Sequence, residues 1–379
     1  MRTIAVGAAG LGRAFSLMAP TLGADERVRL VAAADPRAEA RAQFQRDFAG
    51  RAYATVEELC ADRELEVLYV ATPHQLHAEH ARLAFAAGKH ALVEKPLALT
   101  LAECQAMIDA ARAAKRYLIV GHSHSYDAPI RRTRELIASG TFGRLRMITA
   151  FNFTDFLYRP RRPEELDSAR GGGTLYNQAP HHVDIVRLLA GTRAARVRAQ
   201  TGAWDPARPT EGAYSALIAF DGGAFATLSY SGYAHFDSDE FTEWIGEGGQ
   251  KKDPNAYGAA RKALAGDEMA LKNARNYGGP QQSKTPPQPL HQHFGVLIAS
   301  CEHADLRPLA DGVWIYGDRE KRYDAIAAPQ VQRAEVIDEL YGAVVEDRPP
   351  LHDGEWAAAT MQVCLAMLRS AREQREIEL

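Results

Sequence analysis

No stretch of this 379-residue chain approaches the roughly eighteen consecutive apolar residues that a membrane span needs, so nothing in it reads as a transmembrane helix. Cysteine is scarce: Cys60, Cys104, Cys301 and Cys364 are scattered and form no C-x-x-C pair. That excludes a disulfide framework and leaves reduced, structural thiols as the expectation. Neither sign of charge is in excess: 45 Lys and Arg face 48 Asp and Glu, a formal net charge of -3, with acid and base interspersed. A nucleic-acid footprint and a basic membrane-surface helix are therefore not expected. No internal repeat is evident, and no leader is expected, since the first residues pass straight into an apolar strand. A cytoplasmic protein with a small-molecule partner is what these absences leave.

What is present is an ordinary globular balance, 46% hydrophobic and 25% charged, in a chain long enough for two domains. Up to residue 122, short apolar runs near 3–6, 28–34, 66–71, 89–94 and 117–121 alternate with helical patterns over 36–48, 74–87 and 101–115. That alternation predicts parallel strands with right-handed crossovers, a doubly wound α/β sheet over 1–122. From 123 to 379 the grammar changes. A helix over 129–139 precedes longer alternating runs at 145–155, 194–203, 213–220 and 224–230, with Asp221-Gly222-Gly223 as a hairpin-like connection. This predicts an α+β domain with a largely antiparallel open sheet, whose uncovered face favours self-association. Residues 248–292 are polar, with one helical stretch, and read as an excursion, either lid or oligomer contact. Amphipathic helices over 331–345 and 354–372 finish the chain.

The run Ile4-Ala5-Val6-Gly7-Ala8-Ala9-Gly10-Leu11-Gly12-Arg13 carries the first strand into a helix, whose N–H groups and positive dipole end face an anion. Gly7 is expected to permit the tight turn and Gly12 close helix–strand packing. The middle glycine of the G-x-G-x-x-G fingerprint falls on Ala9, so Gly10 is expected to give the backbone its slack against a pyrophosphate, with Ala9 and Leu11 as cofactor contacts beside it. The confirming context is an acidic residue ending the second strand, and Arg29-Leu30-Val31-Ala32-Ala33-Ala34-Asp35 supplies it. Asp35 would accept the adenosine ribose hydroxyls and repel a 2′-phosphate, which favours NAD. Arg37 leaves NADP as the alternative, unless it is simply a solvated residue of the next helix.

Ligands of such a sheet sit beyond the carboxyl ends of its strands, where two segments emerge. Val70-Ala71-Thr72-Pro73-His74 brings Thr72, Pro73 and His74 to the cofactor, and Leu92-Val93-Glu94-Lys95-Pro96 brings Glu94 and Lys95. A lysine fixed by a following proline beside a nicotinamide can lower the pKa of a substrate hydroxyl, or relay its proton, as hydride leaves the same carbon. No metal is expected. His74, His77 and His80, His122 with His124, and His291 with His293 lack the convergent carboxylate or thiolate ligands of a zinc site.

The glycine turn, Glu-Lys-Pro and a downstream Gly-Gly-Gly…His segment together resemble the family of glucose-fructose oxidoreductase and inositol dehydrogenase, Gfo/Idh/MocA. The last segment is Gly171-Gly172-Gly173-Thr174-Leu175-Tyr176-Asn177-Gln178-Ala179-Pro180-His181-His182-Val183-Asp184, against the family's G-G-G-x-x-x-D-x-G-x-H-x-x-D. The resemblance covers both domains. It implies an N-terminal Rossmann domain, NAD as cofactor and a homo-oligomer, dimer or tetramer. Position by position, Lys95 corresponds to the catalytic lysine and His181 to the active-site histidine, while Asn177 stands for the usual aspartate and Ala179 for glycine. His77 matches a position near the cofactor, where loop packing and direct contact are both open. Asn177 can only orient a substrate or an imidazole, which turns the expectation away from a simple sugar. His182 is the adjacent candidate for substrate contact. Asp184 either orients the ring or closes the helix's first turn.

Four arginines lead into this segment: Arg159, Arg161 and Arg162 in Tyr158-Arg159-Pro160-Arg161-Arg162-Pro163, then Arg170. Arginine forks bind carboxylates bidentately, so Arg159, Arg162 and Arg170 are candidates for a carboxylated substrate, against a solvated or subunit-contact role. With His293-Phe294-Gly295 and the 300–308 run, the arrangement resembles the branch of the family that oxidises the phthalate 4,5-cis-dihydrodiol to 4,5-dihydroxyphthalate. A polyol or sugar dehydrogenase is the alternative. A catalytically silent NAD-binding sensor is the other, and it has no need of both Lys95 and His181.

Overall fold

The computed structural model describes residues 2–282 and 290–379; residues 283–289, part of the polar excursion, lie outside them. Two compact units emerge, one holding residues 2–122, 269–282 and 331–361, the other 123–268, 290–330 and 362–379. Two segments from the C-terminal half of the sequence thus join the first unit.

The first unit is built on strands β1 (Ile4–Ala9), β2 (Val28–Ala34), β3 (Arg51–Tyr53), β4 (Val67–Val70), β5 (His90–Val93) and β6 (Leu118–Val120), all parallel, in the order β3-β2-β1-β4-β5-β6. Every residue of β1 and β4 is buried, as expected of central strands in a parallel sheet covered on both faces. The order reverses between β1 and β4, which opens a crevice at their carboxyl ends. Strand β3 and the helix Val56–Cys60 go beyond what the sequence pattern announces, because both are too short to show a period. The helix is nonetheless marked locally: Thr55 and Glu58 form a capping box, as Thr100 and Glu103 do for Leu101–Ala114.

The excursion carries two short helices, Ala259–Ala263 and Glu268–Arg275, in place of the single expected stretch. Beyond them Tyr277 sets its ring edge-on to Phe15 at 4.9 Å and donates its hydroxyl to Asp47 Oδ2 at 2.6 Å, packing this segment against the first unit.

The second unit contains β7 (Leu145–Phe153), β8 (Ala194–Gly202), β9 (Ala213–Phe220), β10 (Phe225–Ser231), β11 (Val296–Cys301), β12 (Ala304–Leu309), β13 (Gly312–Gly317), β14 (Lys321–Ala325) and β15 (Ile377–Glu378). They form one nine-stranded sheet, β14-β13-β12-β11-β7-β10-β9-β8-β15, antiparallel throughout except for the β7–β10 pair. Burial alternates along β7, β9 and β10, so one face packs on helices Ala128–Ala138 and Ala179–Ala190, while the other is open except at the end of β7, where Phe151 and Phe153 meet Phe241 and Phe236. The hairpin at Asp221-Gly222-Gly223 joins β9 to β10, with Gly223 at φ 83°. Among the described residues, no helix is long and apolar enough to cross a membrane.

Candidate functional site

In the first unit the glycine turn leaves β1 at the crevice. Gly10 has φ 88°, and a Cβ there would stand 2.9 Å from Ala71 O and 3.0 Å from Thr72 Cα, so the residue is needed where the loops after β1 and β4 meet. The close packing expected of Gly12 falls instead on Gly7, and the turn on Gly10. A Cβ on Gly7 would press on Leu65 and Leu59, whereas one on Gly12 would meet nothing within 4 Å. Close packing therefore belongs to Gly7. Gly12 is the N-cap of helix Arg13–Ala24, with no side-chain cap and open space where its Cβ would stand. Gly10, Leu11 and Gly12 thus fit a dinucleotide pyrophosphate, and Ala9, fully buried at the end of β1, supports the turn.

Asp35, buried at the end of β2, is more heavily committed than the sequence suggests. Its carboxylate accepts from Leu11 N at 2.8 Å, Arg37 N at 2.9 Å, Arg37 Nε at 3.0 Å and Arg37 Nη2 at 3.1 Å. Arg37 is therefore folded over Asp35 rather than solvated, and it also donates to Leu11 O at 2.6 Å.

Thr72, Pro73 and His74 are half-buried at the exit of β4, and Lys95 is half-buried after β5, with a cis bond to Pro96. Two expected cofactor contacts are corrected. His77 is fully buried, its Nδ1 2.8 Å from Pro96 O and Nε2 3.0 Å from Thr72 O, so it ties the two strand-exit loops together. Burial holds its pKa down to about 4. Glu94 turns inward and accepts the Tyr69 hydroxyl at 2.6 Å, and burial raises its pKa. Both residues position the loop that carries Lys95.

In the second unit the site rests on one rung of the sheet, where Asn152, Tyr230 and Tyr214 stand side by side on β7, β10 and β9 with their side chains buried. Helix Ala179–Ala190 crosses this rung and carries His181 and His182 in its first turn. The two rings diverge as helical geometry requires. His182 Nδ1 lies 2.8 Å from the Tyr214 hydroxyl and the ring is 1% exposed, so it turns inward against the sheet. Burial pushes its pKa down to about 3. The His181 ring lies 4.7 Å from that of His124 and 5.0 Å from that of Phe294, and Phe294 stacks on Tyr230 at 6.1 Å. In sequence His122 and His124 are set aside as ligands for want of a convergent carboxylate, and the fold corrects that reason, since ligand atoms of His122, His124 and Asp127 lie within 4.8 Å of one another. His124 places Nδ1 2.7 Å from Asp127 Oδ2, a histidine–carboxylate pair against the His181 ring, and the i, i+3 spacing is its only sequence signal.

Asn177 is buried and donates to Gly173 O at 2.8 Å, holding the glycine triplet, where Gly173 has φ 77°. Asp184 accepts the Ser125 hydroxyl at 2.5 Å and faces Arg187 at 3.9 Å. Arg159 pairs with Asp155 at 2.8 Å and Glu247 at 3.2 Å. Burial alone would raise the Glu247 pKa, but Arg159, helped by His124 and Asn152, outweighs it and holds the carboxyl below its ordinary range. Arg162 pairs with Glu164 at 2.9 Å, and Arg170 is exposed. Glu247, which no motif marks, is thus the carboxylate that links Arg159 to Asn152, whose Nδ2 lies 2.9 Å from its Oε1.

Residues 4–122 match the model of an oxidoreductase family with an NAD-binding Rossmann fold, GFO_IDH_MocA, and residues 130–251 match the GFO/IDH/MocA C-terminal domain. The 1-carboxy-3-chloro-3,4-dihydroxycyclohexa-1,5-diene dehydrogenase of Comamonas testosteroni is 47% identical over 377 residues, 97% of this chain and 95% of that protein. A solved structure from Bordetella bronchiseptica RB50 superposes with TM-score 0.93 at 43% identity, covering 100% of both chains. A levoglucosan dehydrogenase in complex with NADH and levoglucosan shares the fold, at TM-score 0.73 and 18% identity, over 100% of this chain and 99% of that one.

Proposed function

The chain belongs to the GFO/IDH/MocA family of NAD-dependent oxidoreductases, and from that premise we propose that it oxidises a ring carbinol of a carboxylated cyclohexadiene cis-diol, the phthalate 4,5-cis-dihydrodiol being the substrate of choice. The observation that carries this reading is the setting of His181, a buried imidazole flanked by His124 and Phe294 next to Tyr230, an apolar and aromatic surface suited to a flat diene. The likeness to a carboxylated diene-diol dehydrogenase over nearly the whole chain supports it.

Gly10, Leu11, Gly12, Asp35, Thr72, Pro73 and His74 would hold NAD, which when bound accepts the hydride. The chain's own residues manage the proton. Lys95 and His181 are the two groups we assign to the carbinol O–H, one taking its proton as the C–H bond breaks and the other holding the oxygen. His124, fixed by Asp127 through Nδ1, holds its ring against His181. The hydroxy-dienone so formed tautomerises to the catechol, and the balance is diene-diol plus NAD⁺ giving catechol, NADH and a proton. Aromatisation drives the oxidation forward.

Two further parts of the proposal concern setting. The open face of the second sheet carries Leu217, Thr227, Thr149 and Ile298 on one rung, with Leu217 44% and Ile298 37% exposed, and we assign this face to self-association. The four free cysteines, three of them buried, suit a reducing cytoplasm. The test of the whole reading is NADH formation when the phthalate cis-dihydrodiol is added with NAD, and separately with NADP, against myo-inositol and glucose. NADH from the diol alone is expected. Turnover of inositol or glucose only would overturn the substrate class and leave the hydride chemistry standing.

A further inference from the structure

We propose that Arg161 anchors the ring carboxylate of the substrate, and is thereby the residue that makes the chain prefer carboxylated diene-diols to neutral ones. The inference rests on the substrate class proposed above. It starts from a difference among the four arginines near the glycine triplet. Arg159 has Asp155 and Glu247, and Arg162 has Glu164, each within ordinary ion-pair distance. Arg170 is exposed at the end of a turn.

Arg161 is bound differently. The central carbon of its guanidinium lies over the Phe156 ring, 3.7 Å from the centroid, and Nε and Nη2 donate to the Phe156 carbonyl at 3.2 and 2.6 Å. Its backbone N–H is held by Glu268 Oε1 at 2.6 Å, which fixes where the side chain starts. No carboxylate among the described residues reaches the guanidinium. Glu165 acts on it through space, but Glu165 Oε2 accepts from Arg162 N at 2.6 Å. A half-buried fork with its Nη1–Nη2 edge unclaimed among the described residues is the geometry that receives a carboxylate bidentately.

The surroundings agree. Burial pushes the Arg161 pKa down to about 10, a cost that an arriving carboxylate would relieve. Phe156 meets Tyr230 edge-on at 6.4 Å, and Tyr230 stacks on Phe294, whose ring lies against His181. Arg161 and His181 are thus linked through the same connected aromatic rings, Phe156, Tyr230 and Phe294.

The test uses the full-length Arg161→Met and Arg161→Lys variants, with the phthalate cis-4,5-dihydrodiol and the neutral cis-1,2-dihydrodiol of benzene as substrates. For Arg161→Met, kcat/KM for the carboxylated diol should fall about 10- to 100-fold, mostly through KM, while that for the neutral diol changes less than about threefold. Arg161→Lys should recover part of the loss. Equal falls for both diols in both variants would make Arg161 a packing residue and overturn the proposal. Calorimetric binding of phthalate itself, which is not oxidised, separates this question from the reaction. Affinity at least about tenfold weaker in Arg161→Met supports the anchor, and unchanged affinity refutes it whatever the chain oxidises.

Discussion

Replacing Arg37 with alanine tests how the first unit reads its cofactor. In the structure both oxygens of Asp35 are engaged, each by one main-chain N–H and one nitrogen of the Arg37 guanidinium, at 2.8 to 3.1 Å. The carboxylate that should repel a 2′-phosphate is therefore matched by a cation lying on it. A unit charge about 6 Å from one phosphate charge is worth about 2.8 kcal/mol at an effective dielectric near 20. The Arg37 side chain is 32% exposed, and screening by solvent cuts that to about 1.4 kcal/mol, a factor of about ten. We expect the wild-type chain to accept NADP alongside NAD. Arg37→Ala should lose about tenfold in kcat/KM with NADP and less than about threefold with NAD, since Leu11 N and the main-chain N–H of residue 37 remain to hold Asp35. The assay is initial-rate NAD(P)H formation at fixed ionic strength. Equal losses with the two cofactors would refute the reasoning and leave Arg37 a structural clamp on Leu11.

Lys95→Met and His181→Asn should each reduce kcat about 10²- to 10⁴-fold with NADH affinity, read by fluorescence titration, unchanged; a loss under about tenfold at His181 would reduce it to packing. Gly10→Ala, forced to φ 88° against Ala71 O, should weaken NADH binding and lower thermal stability by about 1–2 kcal/mol, so wild-type behaviour in both would show that the two loops do not need the glycine. Leu217→Lys with Ile298→Lys should lower the mass found by light scattering, and an unchanged mass would exclude the open face as the contact. His77 and His182 are held at about 4 and about 3, below the free histidine value. As pH falls below about 6.5 the unfolded chain takes up protons that the folded chain refuses. Stability should therefore decline by about 1.4 kcal/mol per pH unit per histidine down to those values, and urea titrations at stepped pH would show a shallower slope in His77→Gln.

Much of the fold is legible in the sequence because its signals are local and repeated. Strand β9 spans the expected residues, and the β2 and Leu101–Ala114 spans agree to within a residue or so, since apolar runs and helical stripes both survive averaging over a window. Strands β11 to β14 have no such support. They are five or six residues each, with exposed alternate positions and tight returns, and the 296–325 region shows no sustained period. The docking of Tyr277 on Phe15 is unreadable for another reason: nothing near residue 277 in sequence announces a partner some 260 positions earlier.

The site separates along the same line. Residue types at motif spacings locate Lys95, His181 and Asp35, but a motif does not say whether a side chain's charge is already met. Arg159 is a substrate candidate by its sequence setting, and only the fold shows it already paired with Asp155 and Glu247. Arg161 cannot be promoted from sequence, because Glu164 and Glu165 follow it at three and four residues and look like its partners. Only the fold shows both carboxylates turned to Arg162 while Phe156 takes the Arg161 guanidinium. Likewise His182 and Glu94, next in sequence to His181 and Lys95, share their motifs but face inward. Helix and strand geometry send adjacent side chains in different directions, so one of each pair is bound to be structural.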